Sequence, residues 1–390
     1  MRIWVDENIP QGRDAFGAHG EVISFAGRAL SRRDLAAADA LLVRSVTRVD
    51  AALLEGTPVR FVGSATIGTD HVDLEYLRAR GIGFSAAPGS NANSVAEYLA
   101  AALAWLQVKK QWPLAGKVMG LVGYGHVGRL AARAAEAVGM TVLKCDPPLR
   151  AAAAVGAPVG GREEFLDLED LLARSDAISL HVPLTRDGPC PTYHLVNSDF
   201  FARLGRPITL INTCRGDVVR EADLRAALEA GRVRHLVLDV FAGEPRIDPG
   251  LCAAADLITP HIAGYSLPGK LNGTAQVAAA FRAWFGLGRP WTPARPPPEN
   301  PDIDYAPFAT RAEADFLYHC LARAYDINAD DARLRAALAS ADPAAGFDRM
   351  RRHYPVRHEF AAYRIVGFPP GKPHLRLCLE QLGFLMQSVE

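Results

Sequence analysis

Between Lys117 and Gly128 the chain reads K-V-M-G-L-V-G-Y-G-H-V-G. An apolar run of strand type passes into a G-x-G-x-x-G turn at Gly123, Gly125 and Gly128, and Arg129–Val138 then reads as a helix stopped by Gly139. That order of strand, tight turn and helix is the context in which the glycine pattern binds a dinucleotide. Gly123 permits the turn, Gly125 lets the backbone approach a pyrophosphate, and Gly128 lets helix and strand pack closely. The helix start offers unpaired N–H groups and the positive end of its dipole to phosphates. A glycine-rich βα turn with no ligand fits the six residues equally well, so the next strand matters. Met140–Cys145 is apolar and extended in type, and Asp146 closes it. A carboxylate there accepts hydrogen bonds from an adenosine ribose and repels a 2′-phosphate. After Asp146 no Arg or Lys comes before Arg150, so NAD is favoured over NADP. Asp146 starting a plain turn with Pro147 and Pro148 is the simpler alternative.

A chain of 390 residues allows two or three domains and a large core. Lys+Arg and Asp+Glu both total 43, so there is no net charge to mark a nucleic-acid binder. The six cysteines, at 145, 190, 214, 252, 320 and 378, show no C-x-x-C spacing. They point to a reducing compartment rather than to a disulfide framework or a zinc site, and no metal is expected. Met1–Asp6 enters a strand-like pattern without a signal-peptide signature, and no apolar run is long enough for a bilayer. A cytoplasmic enzyme, without membrane or nucleic-acid partners, is the expectation.

Strand-like runs separated by helical stretches recur along the chain and predict parallel sheets of α/β type. In such sheets ligands sit beyond the carboxyl ends of strands. Arg44 and Ser45 follow the run Ala40–Val43, and Thr66 follows Arg60–Gly63. Ser94-Val95-Ala96-Glu97 fits a capping box opening a helix through Trp105, read as the crossover between two domains. Ala151–Gly161 reads as a loop. Prolines cluster from Pro290 to Pro301, a linker signal, and beyond them lies a small α+β segment. In it Ala314–Tyr325 and Asp331–Leu338 read as helices, and Tyr363–Val366 and Leu375–Cys378 as strands.

A dinucleotide site needs a partner that moves a proton while hydride moves, and three candidates follow successive strand ends. Arg215 lies in N-T-C-R-G, Glu244 in D-V-F-A-G-E-P, and His261 in T-P-H-I-A-G. Oxidising a 2-hydroxy acid takes a base, for which His is suited, and a cation to grip carboxylate, which Arg does with its fork. A carboxylate orients the imidazole and stabilises its charged form. Each residue alone has a plainer reading as an ion pair, a turn residue or a satisfied polar group; the set of three does not.

These segments resemble the NAD-dependent D-2-hydroxyacid dehydrogenases over roughly the first 285 residues. The resemblance implies an α/β fold of two Rossmann-like doubly wound parallel-sheet domains with a cleft between them, followed here by the small α+β C-terminal domain. The expected division is 1–93 with 263–286 as substrate-binding lid, 94–262 as NAD domain, and 287–390 as C-terminal domain. It places substrate binding on Arg215, acid/base work on His261, and pairing with His261 on Glu244. V-D-E-N at Val5, V-R-S-V-T at Val43, G-T-D-H-V-D at Gly68, C-D-P-P at Cys145 and P-H-I-A-G-Y-S at Pro260 narrow the likeness. They are similar to the branch that oxidises a small phosphorylated hydroxy acid and whose extra domain serves homodimerisation. By that likeness Ser45, Thr66 and Tyr265 contact substrate. His126, Val127, Asp146, Thr213, Cys214, Arg215, Asp239 and Gly264 join the three glycines at NAD. Val182 stands where the branch leads one to expect Thr, which removes a hydroxyl from the cofactor site. The substrate phosphate needs cations: Arg44 is one candidate, and Arg351, Arg352 and Arg357 are others, although a solvated basic face is the preferred reading of that run. Rival readings are another D-2-hydroxyacid dehydrogenase, of 3-phosphoglycerate or glyoxylate type, and a catalytically idle NAD-sensing protein.

Overall fold

The computed structural model describes residues 1–154 and 164–387. The chain forms two compact units, Met1–Ala92 with Tyr265–Pro296 and Asn93–Gly264 with Pro297–Glu390.

The first unit is built on five parallel strands: β1 (Arg2–Asp6), β2 (Glu21–Phe25), β3 (Ala40–Val43), β4 (Phe61–Ser64) and β5 (Gly83–Ser85). Their order is β2-β1-β3-β4-β5, so the winding reverses between β1 and β3. Alternate residues face opposite ways along a strand. Ile3, Val5, Leu42 and Phe61 pack with Val277, Ala278 and Phe281 of the helix Leu267–Phe285. Trp4, Leu41, Val43 and Val62 pack on the other face with Leu35, Leu54 and Leu77. Burial on both faces explains why these strands read as continuous apolar runs. Gly63 lets the helix lie close, since a Cβ there would stand 2.3 Å from Val277 Cγ1. Leu287 and Trp291 join the same core, and Gln11 exchanges hydrogen bonds with Ala294 at 2.7 and 2.9 Å. The first part of the proline-rich stretch is therefore held by the first unit, and the division falls after Pro296 rather than at 287.

The second unit contains β6 (Val118–Val122), β7 (Thr141–Cys145), β8 (Ala177–Leu180), β9 (Ile208–Asn212), β10 (Val233–Leu238) and β11 (Leu257–Ile258). All run parallel in the order β11-β10-β9-β8-β6-β7, with the reversal between β6 and β8. The helix Ala92–Lys109 leads into it. It begins before Ser94, so the expected capping box does not form. Ser94 is fully buried, and the Glu97 carboxylate accepts instead from Asn93 Nδ2 at 3.0 Å and Phe360 N–H at 2.8 Å. Residues 151–154 of the expected loop belong to a helix, Pro147–Ala154, and 155–161 lie outside the described residues. Proline suits the first helical turn because the N–H it lacks would have no partner there.

The C-terminal segment adds a three-stranded parallel sheet, β12 (Asp302–Asp304), β13 (Arg364–Val366) and β14 (Leu385–Met386). Leu375–Cys378 is not a strand: Pro373 opens a helix, Pro373–Leu382, that buries Leu375 and Leu379 at helical spacing. The helices Ile327–Leu338 and Pro343–Arg352 pack on the six-stranded sheet. Leu334 and Phe347 are fully buried in one core with Leu236, Leu251 and Ile258. Asp331 accepts from Ile258 N–H at 2.8 Å, and Arg335 donates to the carbonyls of Cys252 and Ala255 at 3.0 and 2.9 Å. These contacts cover the edge of β11, where unpaired backbone groups would otherwise be left. Among the described residues no helix is long and apolar enough to cross a membrane.

Truncating Phe347 to Ala is expected to cost about 3–5 kcal/mol. Because the core is shared, urea denaturation should show the loss in the unfolding of the six-stranded sheet as well. An unchanged midpoint there would contradict the shared core.

Candidate active site

The glycine turn follows β6 at the reversal of strand order, where open parallel sheets bind ligands. Gly123 has φ +94°, and a Cβ on it would meet the His181 carbonyl oxygen at 2.5 Å. A Cβ on Gly128 would lie 2.2 Å from the Gly123 carbonyl oxygen, whereas one on Gly125 would meet nothing within 4 Å. Two glycines are thus needed for close backbone approach, and the third leaves an open face. That face lies at the start of the helix His126–Ala137, whose first turn carries no acidic residue. His126 is exposed and Val127 half-buried.

The half-buried Asp146 accepts from Tyr124 N–H at 2.8 Å and Leu149 N–H at 3.0 Å. It ties the glycine turn to the next helix, and a carboxylate has further lone pairs for ribose hydroxyls. Arg150, the nearest following cation, pairs with Asp167. Val182 is half-buried against the core of the sheet, beside the glycine turn. Its neighbour His181 has its Nε2 buried without a partner, and burial pushes that imidazole down to about 4.

After β9 the chain turns through Thr213, Cys214 and Arg215. Asn212 shapes this turn: its Oδ1 accepts from Cys214 N–H at 3.1 Å, and its Nδ2 donates to the Arg215 carbonyl at 3.0 Å. The Thr213 hydroxyl is buried with no hydrogen-bond partner, which leaves it available to a ligand. Burial raises the Cys214 thiol to about 11, so it stays protonated and fills space. Arg215 Nη1 donates to the Cys214 carbonyl at 2.7 Å. Gly216 presses on the next turn, since a Cβ would fall 1.9 Å from the Phe241 carbonyl carbon. The Arg215 turn therefore packs directly on the turn that bears Glu244.

On that turn Glu244 Oε1 accepts from Phe241 N–H at 3.0 Å, and Oε2 accepts from His261 Nδ1 at 2.8 Å. Burial acts to raise the Glu244 carboxyl, but His261, Arg351 and the Phe241 N–H together hold it below its ordinary value. Arg351 Nη1 lies 4.0 Å from Glu244 Oε2. His261 has φ +56°. That left-handed conformation is uncommon outside glycine but is tolerated by histidine more than by most residues.

The fully buried Asp239 fixes the His261 loop. Its Oδ1 accepts from the Thr259 hydroxyl at 2.6 Å and Ile262 N–H at 2.8 Å, and its Oδ2 from Ala263 N–H at 2.9 Å. Tyr98 hydrogen-bonds Thr259 at 2.7 Å. Arg357, expected on a solvated face, is buried. It donates to the carbonyls of Ser94 at 2.7 Å and Ala263 at 3.3 Å, with its guanidinium 3.9 Å from the centre of the Tyr325 ring. Arg351 is largely buried too, and of the basic run's three arginines only Arg352 is exposed. Gly264 ends the loop at the limit of the unit.

In the first unit, Arg44 and Ser45 follow β3 at the reversal point, and Arg44 lies 5.1 Å from the centre of the Tyr265 ring. Lys270 brings a second cation to 4.5 Å from that ring. Nothing in the sequence around Lys270 marks it. Thr66 hydrogen-bonds Ser64 at 2.7 Å, and Ser64 hydrogen-bonds His71 Nε2 at 3.0 Å. Among the described residues no group of three or more His, Cys, Asp or Glu could hold a metal ion.

The model of the D-isomer specific 2-hydroxyacid dehydrogenase NAD binding domain matches residues 93–263, and that of a domain of unknown function (DUF3410) matches 296–383. The fold resembles D-lactate dehydrogenase from Aquifex aeolicus complexed with NAD and lactic acid, with TM-score 0.61 and 25% identity over 73% of this chain and 95% of that one. It also resembles NAD-bound 3-phosphoglycerate dehydrogenase from Entamoeba histolytica, with TM-score 0.62 and 24% identity over 73% and 95%. The class is thus an NAD-binding dehydrogenase of D-2-hydroxy acids. An erythronate-4-phosphate dehydrogenase from Salinibacter ruber is 44% identical over 98% of both chains. One from Azotobacter vinelandii is 44% identical over 98% of this chain and 99% of its own. The chain belongs to the erythronate-4-phosphate dehydrogenase family.

Gly128→Ala, which forces a Cβ against the Gly123 carbonyl, should raise the Kd for NAD by about tenfold or more, or 1.4 kcal/mol. Fluorescence titration with NADH measures it, and wild-type affinity would remove the close approach from the cofactor site.

Proposed function

We propose that this chain oxidises the C2 hydroxyl of 4-phospho-D-erythronate to (R)-3-hydroxy-2-oxo-4-phosphooxybutanoate, a step of pyridoxal 5′-phosphate formation. The observation that carries the reading is the 2.8 Å hydrogen bond between His261 Nδ1 and Glu244 Oε2. With Nδ1–H donated to Glu244, His261 Nε2 keeps its lone pair for the substrate hydroxyl proton. Glu244 then stabilises the imidazolium that forms. Arg215 grips the substrate carboxylate and the emerging carbonyl with its planar fork. NAD, when bound, supplies the acceptor for the hydride that leaves C2. The glycine turn, the helix start, Asp146 and the unpartnered Thr213 hydroxyl suit the cofactor's pyrophosphate, ribose and polar groups. Cys214, Asp239 and Gly264 hold the surrounding turns.

Ser45, Thr66 and Tyr265 are the proposed substrate contacts, and Arg44 with Lys270 the proposed cations for its phosphate, both placed at Tyr265. A cytoplasmic setting is supported by six unpaired cysteines. Homodimerisation through the C-terminal segment is proposed from the likeness to the branch that carries such a domain. The relatives' names over the full chain favour this substrate over 3-phosphoglycerate or glyoxylate. The intact Arg215, Glu244 and His261 weigh against an idle NAD sensor.

NADH fluorescence on adding 4-phosphoerythronate, with and without a 2-oxo acid acceptor, tests the reaction and cofactor exchange together. His261→Ala should lower kcat by about 10²- to 10⁴-fold with NAD affinity unchanged. Turnover of 3-phosphoglycerate but not 4-phosphoerythronate, or wild-type kcat in the variant, would refute the assignment. Lys270→Ala should raise KM for 4-phosphoerythronate by about tenfold, as loss of a charge-assisted contact requires. Unchanged KM would remove Lys270 from the phosphate site.

A further inference from the structure

The helix Pro343–Arg352 belongs to the C-terminal segment, yet its last turn reaches the dyad. Phe347 is fully buried in the core shared with the six-stranded sheet, and Met350 packs on the same core. One helical turn beyond Phe347, Arg351 lies 6.0 Å from the centre of that ring. Its Nη1 is 4.0 Å from Glu244 Oε2, the oxygen that accepts from His261 Nδ1. The Arg351 and Glu244 side chains are 12% and 18% exposed. Charges this poorly solvated act on one another more strongly than on an open surface.

The dyad places opposing demands on Glu244. It must be ionised to orient the imidazole, but a bare carboxylate favours imidazolium, which cannot take a proton from a hydroxyl. The other charged groups on these turns do not resolve the conflict. Asp239 and Glu221 are carboxylates engaged by backbone N–H groups, Arg246 is exposed, and Arg215 faces its own turn's carbonyl.

We infer that Arg351 is a positioning residue for the reaction: it fixes the Glu244 carboxylate and offsets part of its charge, so that His261 stays neutral. The inference rests on Glu244 and His261 being the dyad, and it gives the C-terminal segment a part in the chemistry.

The test compares wild type with Arg351→Ala, Arg351→Gln and Arg351→Lys by two readouts. One is the pH profile of kcat/KM for oxidation of 4-phosphoerythronate. The other is the NMR titration of the His261 ring, with its resonance assigned through His261→Gln. Loss of the charge in the Ala and Gln variants should move the acid limb and the ring titration upward by about one pH unit. Below the wild-type limb this is a tenfold loss of kcat/KM, recovered at higher pH, and Lys should restore the wild-type profile. The Gln variant keeps the stem over Phe347 and carries the comparison if Ala proves unstable. An unmoved ring titration in Arg351→Gln overturns the inference. So does a raised KM at every pH with an unmoved limb, which would make Arg351 a phosphate ligand. A moved titration in a protein that does not turn over 4-phosphoerythronate leaves Arg351 in its role and overturns the substrate reading alone.

Discussion

A carboxylate with no access to water holds the loop that carries His261. Asp239 lies at the end of β10 with three donors converging on it, the Thr259 hydroxyl and the N–H groups of Ile262 and Ala263. Burying a carboxylate is costly unless hydrogen bonds replace the lost water. Here they do, and all come from the loop that carries His261. The Asp239 main chain completes the grip by accepting from His261 N–H at 2.7 Å. This is what sustains a left-handed conformation at a histidine, since such strain persists only where the surroundings over-determine it. The direction of the imidazole, and so its meeting with Glu244, follows from that clamp.

Other parts of the fold converge on the same loop. Tyr98, from the long helix entering the second unit, bonds Thr259, and Arg357, from the C-terminal segment, holds Ala263. Gly216 brings the Arg215 turn onto the backbone beside Glu244. Three successive strand ends are thus fixed against one another, by the backbone approach at Gly216 and by the buried side chains of Asp239, Tyr98 and Arg357. The segment after Pro297 is part of this arrangement, because its helices share the core and cover the sheet edge.

What could be read from the sequence was what local chain geometry dictates. Gly123 and Gly128 declare themselves because a Cβ on either would collide with neighbouring backbone, and Arg215, Glu244 and His261 stand out as ionisable groups closing apolar runs. Contacts between distant segments could not be read. Ser94 and Glu97 have the spacing of a cap, yet Glu97 is taken by Phe360, far away in the chain. Asp239 looks like any acidic strand end until the N–H groups of residues 262 and 263 are seen to face it. Arg351 and Arg357 lie in a run that reads as solvated, and only the packing of Phe347 and Tyr325 shows that they are covered. Leu375–Cys378 misled because a short apolar run has no period of its own; β14, at two residues, is too short to leave a signal.

The first unit is discontinuous in sequence. Its five strands are complete by Ser85, but one face of the sheet is covered by Val277, Ala278 and Phe281. A chain emerging from the ribosome therefore presents Ile3, Val5, Leu42 and Phe61 to water while the whole of the NAD-binding sheet is being made. The N-terminal unit is translated first and can finish its core only after the second sheet has been synthesised. In the cell its vulnerable period is set by the rate of translation, which makes the nascent chain, before any finished subunit, the natural client for a chaperone.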